Sequence, residues 1–343
     1  MANTNESRSF NNIQNSRAEK RKQNKLIQQF TLIGIVGLAV LVVCTLMLMA
    51  TVGIGESILK SLGWIDSEGR DNDPVKWDTI TVTTGDTQQG DLVIVNSTHE
   101  YKFPATTDFS EIWGKWNSHN PRIYQQSGLS KYMDTDALNA LDAMLVDFNA
   151  ATGKTDVQIR YAYRTYEEQQ ALGSSIAAGF SDHHTGLGVQ LKYVIGTNAY
   201  AFSTDESGTY NWFFENAHKY GFVVRYPADK TETTGVEDYG DYFRYVGVAH
   251  ATYMYENNLC MEEYVELLKD YTNKKPLKIN KATDGKYYEV YYVAVDGSTN
   301  VDVPSNYNYG LSGTNEGGVV ITVDRSQAVQ PETATSAEEG GTN

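Results

Sequence analysis

The chain has 343 residues, 41% of them hydrophobic, enough for one sizeable folded domain with appendages and too apolar for a disordered chain. Residues 1–30 carry six basic and two acidic side chains, a net charge of +4, and the remainder carries −19 of the overall −15. Phosphates would be repelled by so acidic a body, which excludes nucleic acid as a partner. The two cysteines, Cys44 and Cys260, lie too far apart in the chain to suggest a disulfide framework, and the 24 tyrosines suit half-wet grooves.

In chain order, a basic segment over 1–25 precedes an apolar run that predicts a membrane-crossing helix over 26–55. No charge occurs between Lys25 and Glu56, and the run is longer than a signal peptide's apolar region. The basic flank predicts a cytoplasmic N-terminus and a single-pass protein with its C-terminal domain extracellular. Residues 56–89, rich in Gly, Asp, Asn and Thr, read as an extracellular linker.

A folded domain is expected over 90–275. Residues 90–96 read as a short buried strand. Ala137, Leu138, Leu141, Leu145 and Phe148 recur at helical spacing, which predicts a helix over 134–152 capped by Asp134 or Thr135 and ended by Gly153. A strand over 157–163 follows, then a helix over 164–178, a loop over 180–188 and a strand over 189–195. Further expectations are a helix over 212–220 stopped by Gly221, strands over 222–226 and 243–246, and helices near 248–257 and 261–271. This mixture predicts an α+β fold, a small antiparallel sheet flanked by helices. His218 is expected on a helix surface and His250 in packing. Residues 276–324 read as a small β appendage, and 325–343 as a disordered acidic tail.

Four segments carry a resemblance. They are Gly90-Asp91-Leu92-Val93-Ile94-Val95-Asn96, Tyr163-Arg164-Thr165-Tyr166-Glu167-Glu168-Gln169, the stretch from Ser181 to Gln190, and the stretch from Trp212 to Gly221 continued by Arg244-Tyr245-Val246-Gly247. In this order and spacing they resemble the zinc D-alanyl-D-alanine carboxypeptidases of the vancomycin-resistance type, which trim peptidoglycan stem peptides. The resemblance implies a D-Ala-D-Ala carboxypeptidase-like fold, a cell-wall peptide ending in D-Ala as partner, and zinc as cofactor.

It also assigns positions. In the family's S-x-H-x-x-G-x-A-x-D motif the His and Asp bind zinc; here His183 is retained and Gln190 stands at the Asp position. In the family's E-x-x-H-x-R-Y-V-G motif the Glu is the base and the His the third ligand; here these are Tyr239 and Tyr242. An amide and two protonated phenols neither hold nor use a catalytic zinc as a carboxylate and an imidazole do. A one-residue slip would recruit Asp238 as base and Asp241 as ligand. Arg164, Ser181 and Gln169 match the family's substrate-carboxylate contacts; alternatively Arg164 pairs with Glu167 or Glu168. Three readings follow: an inactive pseudopeptidase that binds stem peptides with no cofactor, an active zinc enzyme with substituted ligands, and a structural protein contacting a cell-envelope partner.

Overall fold

A computed structural model describes residues 74–237, 239–326 and 328. The expected cytoplasmic segment and crossing helix, 1–25 and 26–55, lie outside these residues, as does Asp238. Among the described residues no helix is long and apolar enough to cross a membrane. This corrects the single-pass localisation, for which the described fold supplies no crossing element.

The strands are β1 (Trp77–Thr83), β2 (Phe109–Glu111), β3 (Gln125–Gln126), β4 (Tyr132–Asp134), β5 (Val157–Tyr161), β6 (Gly188–Ile195) and β7 (Asn198–Tyr200). They continue with β8 (Phe222–Val224), β9 (Tyr242–Tyr245), β10 (Leu277–Ile279), β11 (Tyr288–Ala294), β12 (Ser298–Pro304), β13 (Tyr309–Gly313) and β14 (Gly318–Asp324). The central sheet has the order β3-β5-β6-β9-β8, with β7 beside β6. Its pairs are antiparallel except β3 with β5, which run parallel. The architecture is the expected α+β type with that one parallel edge.

The long helix Thr135–Thr152 covers one face of this sheet. The Asp134 side chain accepts the Ala137 amide hydrogen at its start, and Gly153 in the left-handed region ends it. Leu138, Leu141, Leu145 and Phe148 meet Val157, Ile159, Val189, Leu191 and Phe243 in a common core. The predicted helix over 164–178 is shorter: Tyr166–Leu172 stops at Gly173, also left-handed, long before Gly179. A glycine followed by two serines removes helix propensity that pattern alone does not register.

Three expectations about the periphery change. Within residues 90–96, Leu92 to Val95 are buried, but the segment forms an irregular crossing rather than a strand. Their polar groups go to Ser312 Oγ, the Thr314 carbonyl and the Arg244 guanidinium instead of a ladder. Residues 77–83, expected in a linker, form β1 and pair along their whole length with β12. Arg325, expected in a disordered tail, is buried, pairs with Glu289 at 2.8 Å and lies over the Tyr307 ring.

The C-terminal strands are more than an appendage. The sheet β10-β11-β14-β13 has two apolar faces, because its side chains alternate. Val290 and Val320 join Met254, Met261, Tyr264 and Leu268 of the two helices Val248–Glu256 and Met261–Leu268. Tyr291, Val319 and Ile321 turn the other way, onto Val82, Val301 and Val303. His250 bridges the layers: its ring nitrogens meet Tyr264 Oη at 2.8 Å and Thr322 Oγ1 at 2.9 Å.

His218 is not on the surface. It is buried and stacked on Tyr255, with ring centroids 3.7 Å apart. Burial pushes the pKa of His218 and of His250 down to about 4, against 6.5 for a free side chain. Between these values the unfolded chain takes up protons that the folded chain refuses, so stability is lost as pH falls below about 6.5. Denaturant midpoints of the full-length chain should therefore drop between pH 6.5 and 4, with a smaller drop in a His250→Gln variant. An unchanged slope in that variant would remove His250 from the effect.

Candidate active site

The candidate site is a cleft of about 230 Å³ at one end of β5, β6 and β9. Its walls include Arg164, Gln169, Ser181, His183, Gln190, Tyr239 and Tyr242, so the described candidate residues are brought to it, apart from the alternative ligand Asp241. A register shift between Ile159 and Tyr161 on β5 turns the chain at the rim and leaves Tyr161 opposite Gln190.

Two backbone connections set the loop that carries His183. The Arg164 amide donates to the His183 carbonyl at 3.2 Å, and His183 Nδ1 donates to the Ala162 carbonyl at 2.6 Å. His183 Nε2 is therefore the ring nitrogen left for the cleft. Burial and the Arg164 charge push the His183 pKa down to about 3, so the ring is neutral. His184 is a loop histidine: Nδ1 donates to the Arg164 carbonyl at 2.7 Å, and Nε2 accepts from the Gly179 amide at 3.0 Å.

Gln190 stands opposite Tyr242, and Gly188 opposite Arg244, in the pairing of β6 with β9. Asp241 pairs with Lys192 and accepts from Gln190 Nε2 at 3.2 Å. Its charge is used there, and Asp241 itself does not line the cleft. Tyr239 is half exposed at the mouth.

Tyr242 is buried, with its ring edge-on to His183 at 4.8 Å between centroids. Its hydroxyl donates to Asp182 Oδ2 at 3.1 Å. Burial, then the Asp182 charge, raises the phenol pKa well above 10, so it remains a donor and not a phenolate. Gly188 makes the room. It stands where the family motif has Ala, and a Cβ there would lie 2.7 Å from Tyr242 Cζ and 2.8 Å from Asp182 Oδ2.

Asp182 is the residue that sequence reasoning passed over. It is buried against Arg244, with Arg225 Nε at 3.5 Å, and Arg225 closes a two-pronged pair with Glu262 at 2.7 and 2.9 Å. A charged residue in the apolar run Phe222-Val223-Val224-Arg225-Tyr226 was the available signal.

The donors do not fit a zinc ion. One imidazole is offered; the amide donates to Asp241 and the phenol to Asp182. Among the described residues no group of three His, Cys, Asp or Glu side chains is placed to hold a metal.

The wall that carries Arg164 is held by side-chain contacts. Arg164 Nη1 donates to Gln169 Oε1 at 2.6 Å, and Gln169 Nε2 is tied to the Ile176 carbonyl at 2.7 Å and to Ser174 Oγ at 2.9 Å. Glu168 closes a capping box with Thr165 and does not pair with Arg164. Among the described residues no carboxylate pairs with Arg164.

Comparison with known proteins agrees with this geometry. A family profile described as D-alanyl-D-alanine carboxypeptidase matches residues 130–248. A D-alanyl-D-alanine carboxypeptidase of Enterococcus faecium is 32% identical over 252 residues, covering 71% of this chain and 78% of its own. One from Enterococcus faecalis is 30% identical over 53% of this chain and 68% of its own. The solved vancomycin-resistance D,D-dipeptidase VanXYg, in complex with a D-Ala-D-Ala phosphinate analogue, superposes with a TM-score of 0.63 at 26% identity, over 73% of this chain and 100% of its own. The chain belongs to the VanY-type D-alanyl-D-alanine carboxypeptidase family.

The packing of Tyr242 over Gly188 predicts coupled substitutions. Gly188→Ala should cost about 1–3 kcal/mol by overpacking, and much less in a Tyr242→His background. Chemical unfolding of the two single variants and the double variant measures this. Additive costs would show that the two positions do not share the space.

Proposed function

We propose that this domain is a non-hydrolysing member of its family that binds peptidoglycan stem peptides by their D-Ala terminus. The observation that carries the reading is Arg164: a guanidinium in the cleft, clamped by Gln169, with no carboxylate of its own among the described residues. Burial lowers its pKa from 12.5, yet arginine stays charged at neutral pH. A planar fork of donors suits a terminal carboxylate, and Ser181 stands in the same wall.

Turnover lacks its parts. Tyr239, at the base position, is a phenol with a reference pKa of about 10, too weak a base near neutrality. Tyr242 and Gln190 spend their polar groups on Asp182 and Asp241. No hydrolytic step is therefore assigned to these residues. The boundaries 90–275 for the recognition domain and 276–324 for the C-terminal strands are retained as part of this reading.

Calorimetry of the full-length chain with a pentapeptide ending in D-Ala-D-Ala should give saturable binding. Arg164→Ala should weaken it about tenfold or more, as should a carboxamide in place of the peptide's terminal carboxylate. The same sample should release no D-Ala and carry well under one zinc per chain. Release of D-Ala by protein loaded with one zinc would overturn the reading.

A further inference from the structure

A second surface, outside the cleft, offers two aromatic rings to solvent. Trp113 is 55% exposed and Tyr132 is 40% exposed, and both line an open pocket of about 390 Å³. The Trp113 ring does not hang free. It rests on Trp116 at 4.8 Å between centroids, and the Trp116 Nε1–H donates to the Tyr124 carbonyl at 2.8 Å. The Arg122 guanidinium lies 4.5 Å from the Trp116 ring centroid. A ring held this way loses little freedom when something stacks on it.

Around the rings stand Glu111, Gln126 and Lys131. Glu111 is paired in register with Tyr132, and Lys131 and Gln126 come from the neighbouring loop and strand. Among the described residues none of these three side chains has a hydrogen-bond or ion-pair partner. The two charges are opposite, so the patch selects neither an anion nor a cation. Flat apolar rings bordered by free donors and acceptors of no net charge match a neutral saccharide, which has apolar ring faces and a rim of hydroxyls.

We propose that Trp113 and Tyr132 form a docking site for a neutral amino-sugar oligomer, the glycan strand of the same polymer whose peptide the cleft receives. The choice of polymer rests on the proposed function; the site itself does not. Two linked epitopes on one polymer raise each other's effective concentration.

The test titrates the full-length chain with tetra-N-acetylchitotetraose by calorimetry. Saturable binding is expected. Trp113→Ala should weaken it about tenfold or more and Trp113→Phe less, because a ring remains. Arg164→Ala should leave it unchanged, and Trp113→Ala should leave stem-peptide binding unchanged. Absence of saturable binding, or equal binding by folded Trp113→Ala protein, overturns the site. Failure of the unsubstituted chain to bind the peptide while it binds the oligosaccharide overturns the cleft reading and leaves this site standing.

Discussion

Asp182 has almost no contact with solvent, and the two guanidinium groups facing it, Arg225 and Arg244, have none. Isolating such a charge is expensive, and removing one partner of a buried pair costs about 3–5 kcal/mol. The group is kept whole by its neighbours. Arg225 is closed by Glu262 from the helix Met261–Leu268, and Arg244 reaches the carbonyls of Asp91 and Val93. One cluster of two acids and two bases thus ties together the His183 loop, strand β9, the irregular crossing at 90–96 and a C-terminal helix. The cleft depends on it, because Asp182 lies between Ser181 and His183.

Tyr242 belongs to the same cluster. Its hydroxyl turns to Asp182. The phenol gives that carboxylate a further donor, and its ring takes the volume above Gly188. The tyrosine ring at 242 and the missing Cβ at 188 thus share one space. Gln190 and Asp241 are related in a similar way, since the amide donates to a carboxylate already neutralised by Lys192.

The wall around Arg164 is built from different contacts. Arg164 is held by Gln169, and Gln169 by Ser174 and the Ile176 carbonyl, all within one short helix and the residues on either side of it. No metal is needed to place that fork.

Much of this was legible in the residues alone. The helical period from Ala137 to Phe148, the caps at Asp134 and Gly153, and the order of the four family segments specified the element types and the α+β class. They did so because periodicity and capping are local properties. Other features waited for the tertiary structure. The β1–β12 pairing joins residues more than two hundred positions apart, the burial of His218 and Arg325 depends on what packs over them, and the partners of Asp182 come from two other segments of the chain. Contacts made across such distances leave no local pattern, so only the folded chain decides them.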